Sequence, residues 1–114
     1  MTATLHGTAA AGSASSLRLL RDILEEQFAV QTNRLTELVL CGELPRLGGY
    51  DPRTLAALTR ETRIGVAAAA DALRRMSQNT YGTCERCRQA IPLGRLHAYP
   101  EARYCTPCHQ VSPS

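Results

Sequence analysis

Two apolar stripes organise the first eighty residues. The first runs Leu17, Leu20, Leu24, Phe28, Leu35 and Leu38, with Gln31 filling the same three-and-four spacing. That period predicts an amphipathic helix of about 25 residues with one narrow apolar face. Ser15 or Ser16 would cap its start. Cys41 and Gly42 would mark its end, because glycine suits a left-handed C′ position and Pro45 cannot continue a helix. The segment GELPRLGGY carries three glycines and a proline and predicts a turn over 42–51. Asp51 and Pro52 then restart a helix, the aspartate as N-cap and the proline at the first helical position, where its fixed φ is already helical. The second stripe reads Leu55, Leu58, Thr62, Val66, Ala69, Leu73 and Met76.

Two helices of similar length, each with one narrow stripe, predict an antiparallel hairpin over 15–80. The alanine run at 67–70 would let the two backbones approach closely. At about 1.5 Å per residue each arm reaches about 40 Å, and so thin a core needs tying at its base. The competing arrangements are a compact bundle or pairing with a second chain; the narrow, matched stripes favour a monomeric hairpin. Residues 1–14 are small and polar without periodicity and predict a disordered N-terminal tail.

Composition agrees with packed helices. Aromatics are scarce, one Phe, four Tyr and no Trp, while Leu and Ala dominate the apolar set, which suits close helix packing better than a sheet sandwich. No apolar run approaches the roughly 20 residues that span a bilayer. The N-terminus lacks the basic start and apolar core of a signal peptide. The expectation is a soluble, cytoplasmic protein with no membrane partner.

The remaining signal lies at 81–110, in the stretch YGTCERCRQAIPLGRLHAYPEARYCTPCHQ. Cys84 and Cys87, then Cys105 and Cys108, form two C-x-x-C pairs separated by seventeen residues. This is the spacing of a four-thiolate zinc site: two intervening residues let both sulfurs of a pair converge on one ion, and the excursion can return the second pair to close the tetrahedron. A reducing compartment disfavours two disulfides. The redox reading would need a C-x-x-C at a helix start after a strand, and no such pattern is present. A closed four-cysteine shell leaves no position for a reactive water, so the module predicts one structural Zn²⁺ and no enzyme. His97 and His109 are surplus to such a shell and predict surface positions, His6 falls in the tail, and Cys41 would face the helix seam. The last residues, 111–114, form a short tail.

Charge argues against a nucleic-acid partner. The formal charge is +3 with cysteines neutral; four thiolates on one Zn²⁺ add −2 and bring the total near +1. Residues 81–114 carry four Arg against two Glu, so their excess of +2 is cancelled by the metal centre. That is a poor footprint for a phosphate backbone, and direct sequence-specific DNA binding is not expected.

YGTCERC (81–87) and IPLGRLHAYPEARYCTPC (91–108), with the preceding ADALRRM, resemble the DksA/TraR family of bacterial zinc-finger proteins over roughly 51–108. One departure is Arg88, where the family usually has Gly after the second cysteine. The resemblance implies a transcription regulator that binds RNA polymerase directly, its helical hairpin inserted in the secondary channel and its finger as a structural base. It also implies a polymerase-contacting tip. The family tip commonly reads D-P-x-D-x-A, and here DPRTLA keeps Asp51 and Ala56 but has Thr54 in place of the second aspartate and adds Arg53, so the tip is less acidic. Positions that bind guanosine tetraphosphate in some members correspond to Ala68, Tyr99 and His109, which implies that this site is absent. The fold expected is therefore mainly α, a long antiparallel helical hairpin (coiled coil) followed by a small four-cysteine zinc finger. The alternative function is a zinc-finger adaptor that binds another protein, or less readily nucleic acid, through the finger's surface. A third class is a redox or metal-responsive switch.

Overall fold

The structure is a computed structural model that describes residues 14–44 and 49–111. The described residues form four helices: α1 over Ala14–Glu43, α2 over Pro52–Ser77, α3 over Leu93–Ala98 and α4 over Thr106–Val111. α1 and α2 pack along one another as the expected hairpin, and the molecule is elongated, 58 × 30 × 21 Å. Ala14, the last residue of the predicted disordered tail, opens α1; residues 1–13 of that tail, residues 45–48 of the predicted turn and the last three residues lie outside the described residues.

The ends of the two long helices follow local chemistry, with two changes. α1 already includes Ser15 and Ser16, so neither serine caps it. Gly42 does not terminate α1 either; the helix runs to Glu43, and the Leu44 N–H still donates to the Leu40 carbonyl at 2.7 Å. The glycine serves packing instead. A Cβ at Gly42 would lie 3.6 Å from Leu55 Cδ2 across the hairpin. At the start of α2, Asp51 is the N-cap with extended φ and ψ of −75° and 163°, and Pro52 follows inside the helix.

The seam is uneven. Near the finger, Leu20 and Leu24 of α1 and Ala72 of α2 are fully buried and join Tyr81, Cys84, Ile91, Leu96, Ala102 and Cys105 in one core, with Leu17, Leu73 and Met76 packed against it. Ala69 is buried between the middle of the rod and Ala72, and toward the turn only Leu38 and Thr62 are buried among the described residues. Phe28, placed on the predicted stripe, is 37% exposed. Midway along, the position where a Cβ of Gly65 would sit is 3.5 Å from the Gln31 side chain, so a polar side chain and a missing one meet where a coiled coil would place two apolar groups. The Thr62 hydroxyl turns back to the Leu58 carbonyl at 2.7 Å.

The module after α2 has little regular structure. A single bridge pairs Thr83 with Ala90, and two short helices follow. Gly82, at a φ of 86°, supplies the turn that lets its carbonyl accept from the Ile91 N–H at 2.8 Å, a left-handed conformation that glycine adopts without strain.

Candidate functional site

The first cysteine pair sits on the turn after the Thr83 bridge, the second at the start of α4. Their four Sγ atoms lie within 4.8 Å of one another, and Cys87 Sγ is 3.7 Å from Cys105 Sγ. A disulfide needs about 2.05 Å between sulfurs, so these are separate thiols. Zn–S bonds of about 2.3 Å place tetrahedral sulfurs about 3.8 Å apart, and the donor set fits that ion. The backbone supports negative charge here as well: the Cys87 N–H points at Cys84 Sγ at 3.4 Å.

Electrostatics make the same point. Burial opposes ionisation of Cys84, yet the N–H groups of Cys87, Cys105 and Arg86 outweigh it and hold this thiol down at about 6. Burial and the other three sulfurs push Cys108 up to about 12. Cys87 has the Gln89 N–H lowering it, but burial and the Cys84 and Cys105 sulfurs prevail and its pKa is raised. One thiolate forms readily and the next ones are resisted by their neighbours. A bound dication removes that conflict, which is why such a cluster binds metal with release of protons. Bound zinc would cross-link the turn at Cys84–Cys87 to the start of α4.

A family model described as the prokaryotic dksA/traR C4-type zinc finger matches residues 79–113. The chain carries a DksA/TraR-family zinc finger. Over 37 residues it is 51% identical to an uncharacterized protein of Aquifex aeolicus (strain VF5), a stretch that covers 32% of this chain and 26% of that protein. The chain therefore spans about a quarter of the length of the curated relative it matches. The whole fold is similar to that of the transcription factor DksA2 from Pseudomonas aeruginosa, with a TM-score of 0.74 at 19% identity over 96% of this chain and 88% of that one. The DksA/TraR-type finger over 79–113, the hairpin-plus-finger architecture and a four-cysteine cluster able to hold one zinc are thus found.

What seats the DksA/TraR finger on the rod is a residue that the stripes do not reveal. Arg75, only 3% exposed, leaves α2 toward the finger. Its Nε donates to Asp71 Oδ2 at 2.9 Å, and its two terminal nitrogens donate to the Ala102 and Glu101 carbonyls at 3.3 Å each. Its guanidinium also lies 5.9 Å from the centre of the Tyr81 ring. Tyr81 is itself pinned, its hydroxyl donating to the Pro100 carbonyl at 2.8 Å, and burial pushes that hydroxyl's pKa up to about 12. Arg75 falls between Ala72 and Met76, one position off the predicted face. The finger covers a second face of α2, so the last turns of that helix are enclosed on both sides. The available signal was Asp71 at i−4, a charge pair that would neutralise an arginine entering the core.

At the other end, Asp51 and Thr54 meet. Asp51 Oδ1 accepts the Thr54 N–H at 2.9 Å and Oδ2 accepts the Thr54 hydroxyl at 3.0 Å. The threonine that stands in place of a second carboxylate thus engages both oxygens of the first. These bonds, the backbone one foremost, hold the Asp51 carboxyl below the usual 3.8. Ala56 does not join the pair. It lines an apolar recess of about 590 Å³ beside it, with Leu38, Pro52, Leu55 and Ile64.

His97 and His109 are exposed, and Cys41 is half-buried in α1. His6 lies outside the described residues.

Proposed function

We propose that the protein is a transcription regulator of the DksA/TraR type that binds RNA polymerase directly. The hairpin would enter the secondary channel, the finger would serve as the structural base, and one Zn²⁺ held by Cys84, Cys87, Cys105 and Cys108 would keep that base folded. One observation carries this reading: a DksA/TraR finger is fastened to a two-helix rod whose far end carries Asp51, Pro52 and Ala56 at the start of α2. The similarity in fold to a transcription factor, DksA2, supports it.

The residues assign different tasks to the two ends. Arg75 and Tyr81 orient the rod on the finger, while Asp51, Thr54 and Ala56 form the contacting tip. Because Thr54 occupies both Asp51 oxygens, the tip offers a carboxylate already committed to its own helix. Its effect on initiation would be weaker than that of a tip with two free carboxylates. The proposal includes no guanosine tetraphosphate site, since Ala68, Tyr99 and His109 stand at the matching positions, and it takes the protein as a cytoplasmic monomer that is not an enzyme.

Pull-down with core polymerase tests it. Association is expected with the natural chain and lost on deletion of residues 42–56; no association, or association unchanged by the deletion, would refute the proposal. Thr54→Asp, which frees Asp51 Oδ2 and adds a carboxylate, should strengthen the effect on promoter complexes, whereas Asp51→Asn should abolish it.

The adaptor reading has one feature in its favour, a recess of about 410 Å³ on the finger lined by Arg95, Tyr99, Arg103, Tyr104 and His109. Under that reading, partner capture would survive loss of the hairpin tip and fail on substitution of Tyr99 and Tyr104.

A further inference from the structure

Three described residues have positive φ: Asn79 at 62°, Gly82 at 86° and Arg88 at 65°. Glycine adopts that conformation freely, and asparagine is enriched there. Arginine has neither advantage. Arg88 is held in place by its own N–H, which donates to the Cys84 carbonyl at 3.0 Å and closes the turn of the first cysteine pair. A glycine would make the same bond without strain, so the backbone does not explain the side chain.

The side chain has a location that does. Arg88 lines a recess of about 300 Å³ at the junction of rod and finger, together with Arg74, Arg75, Gln78, Thr80, Thr83 and Glu85. The carboxylates around this recess are already engaged. Asp71 accepts from both Arg74 and Arg75, and Glu85 accepts from Arg103 at 2.8 and 3.1 Å. Gln78 turns its Oε1 to Arg74 at 3.0 Å, which leaves its amide NH₂ as a donor. The Arg88 guanidinium makes no hydrogen bond or ion pair among the described residues. Counting Arg74, Arg75, Arg88 and Arg103 against Asp71 and Glu85, the local excess is two positive charges.

Among the residues lining one recess, an unengaged guanidinium, an amide NH₂ and a threonine hydroxyl make a donor set suited to an oxyanion, and guanidinium matches phosphate oxygens in a bidentate fork. We propose that this recess binds a phosphate-class oxyanion, with Arg88 as its principal contact. The site lies at the first cysteine pair and the end of α2, away from the hairpin tip, and does not rest on polymerase binding. The neighbouring zinc–thiolate centre, which would carry −2, sets a limit on affinity, so binding in the millimolar range is expected for an exposed contact.

The test uses the zinc-loaded full chain titrated with inorganic phosphate and with pyrophosphate at constant ionic strength, followed by amide chemical shifts. Saturable shifts are expected at Gln78, Thr80, Thr83 and Arg88, larger with pyrophosphate. Arg88→Gly should weaken binding about tenfold, the loss of one charge-assisted contact, while its melting temperature stays equal or rises because the strain is relieved. Arg88→Lys, which keeps the charge without the fork, should bind with intermediate affinity. Non-saturating shifts spread over all arginine-bearing surfaces would overturn the proposal. So would parental affinity in Arg88→Gly, or a loss of bound zinc in that variant accompanying its loss of phosphate, which would place the role of Arg88 at the metal centre.

Discussion

The two ends of this molecule are built by different means. At the finger end, Leu20, Leu24, Ala72, Tyr81, Ile91 and Leu96 close a core around Cys84 and Cys105, and a buried arginine ties three segments together. At the turn end, the buried seam residues are Leu38 and Thr62, and the helix start is organised by an exposed carboxylate and its threonine. The contrast teaches where a long hairpin draws its stability. A two-helix rod buries too little surface to hold itself along its full length, so order is concentrated where a third body covers it. The far end keeps its shape through capping, which acts locally.

Removing the metal should have the largest effect. Structural zinc contributes on the order of 10 kcal/mol in finger peptides. Cys84→Ser should release zinc, unfold 81–110 and loosen the finger-end half of the hairpin. Zinc stoichiometry with far-ultraviolet circular dichroism checks this; full zinc content with an unchanged melting curve would show that Cys84 is not a ligand.

Next is Arg75. Arg75→Met keeps length and apolar bulk but leaves the Ala102 and Glu101 carbonyls and Asp71 Oδ2 without their donor, while Arg74 still reaches Asp71 Oδ1. A cost of about 3 kcal/mol is expected, measured by urea denaturation of the zinc-loaded protein.

The core itself separates the two halves. Leu24→Ala should destabilise by about 3–4 kcal/mol and Leu38→Ala by about 2 kcal/mol, because a thinly covered site relaxes around the lost volume more easily. Hydrogen exchange should show the same order, with amides near Leu38 opening well before those near Leu24. Equal costs and equal protection would erase the distinction between the two ends.

The smallest effect belongs to the tip and is seen in pH. The Thr54 bonds lower the Asp51 pKa, so the cap is complete above 3.8 and is lost as pH falls through the lowered value. The finger should fail at higher pH, as protons displace zinc from the thiolates. Acid titration followed by amide resonances should therefore give two transitions, finger first and Thr54 second. Thr54→Val removes the hydroxyl contact to Oδ2 and should move only the second transition, toward 3.8.

Much of this arrangement was legible in the chain. The stripes gave the hairpin because helix periodicity is a local property, and Asp51–Pro52 gave the start of α2 because capping is settled within one turn. The cysteine spacing gave the zinc set because chelation fixes residue type and separation together. Most of the misses were tertiary. Phe28 fell on the stripe, yet the seam beside it is held by Gln31 and Gly65 and leaves the ring partly in water. Gly42 looked like a helix stop, but its missing Cβ is used by Leu55 from the other arm. Arg75 lies off the second stripe, and its burial arises only from the finger folded over it. The link between Thr54 and Asp51 was the one miss within reach of the sequence, since a threonine three residues after an aspartate N-cap can donate both its N–H and its hydroxyl to that carboxylate.

Arg75 also governs aim. The 26 residues of α2 form an arm of about 39 Å at 1.5 Å per residue, and this arginine sits at its pivot, bonded to carbonyls on the finger. A tilt of about 5° there would swing the far end by about 3 Å, roughly the length of a hydrogen bond. The bearing of the pointer is therefore set to hydrogen-bond accuracy by a residue that never approaches whatever the pointer touches.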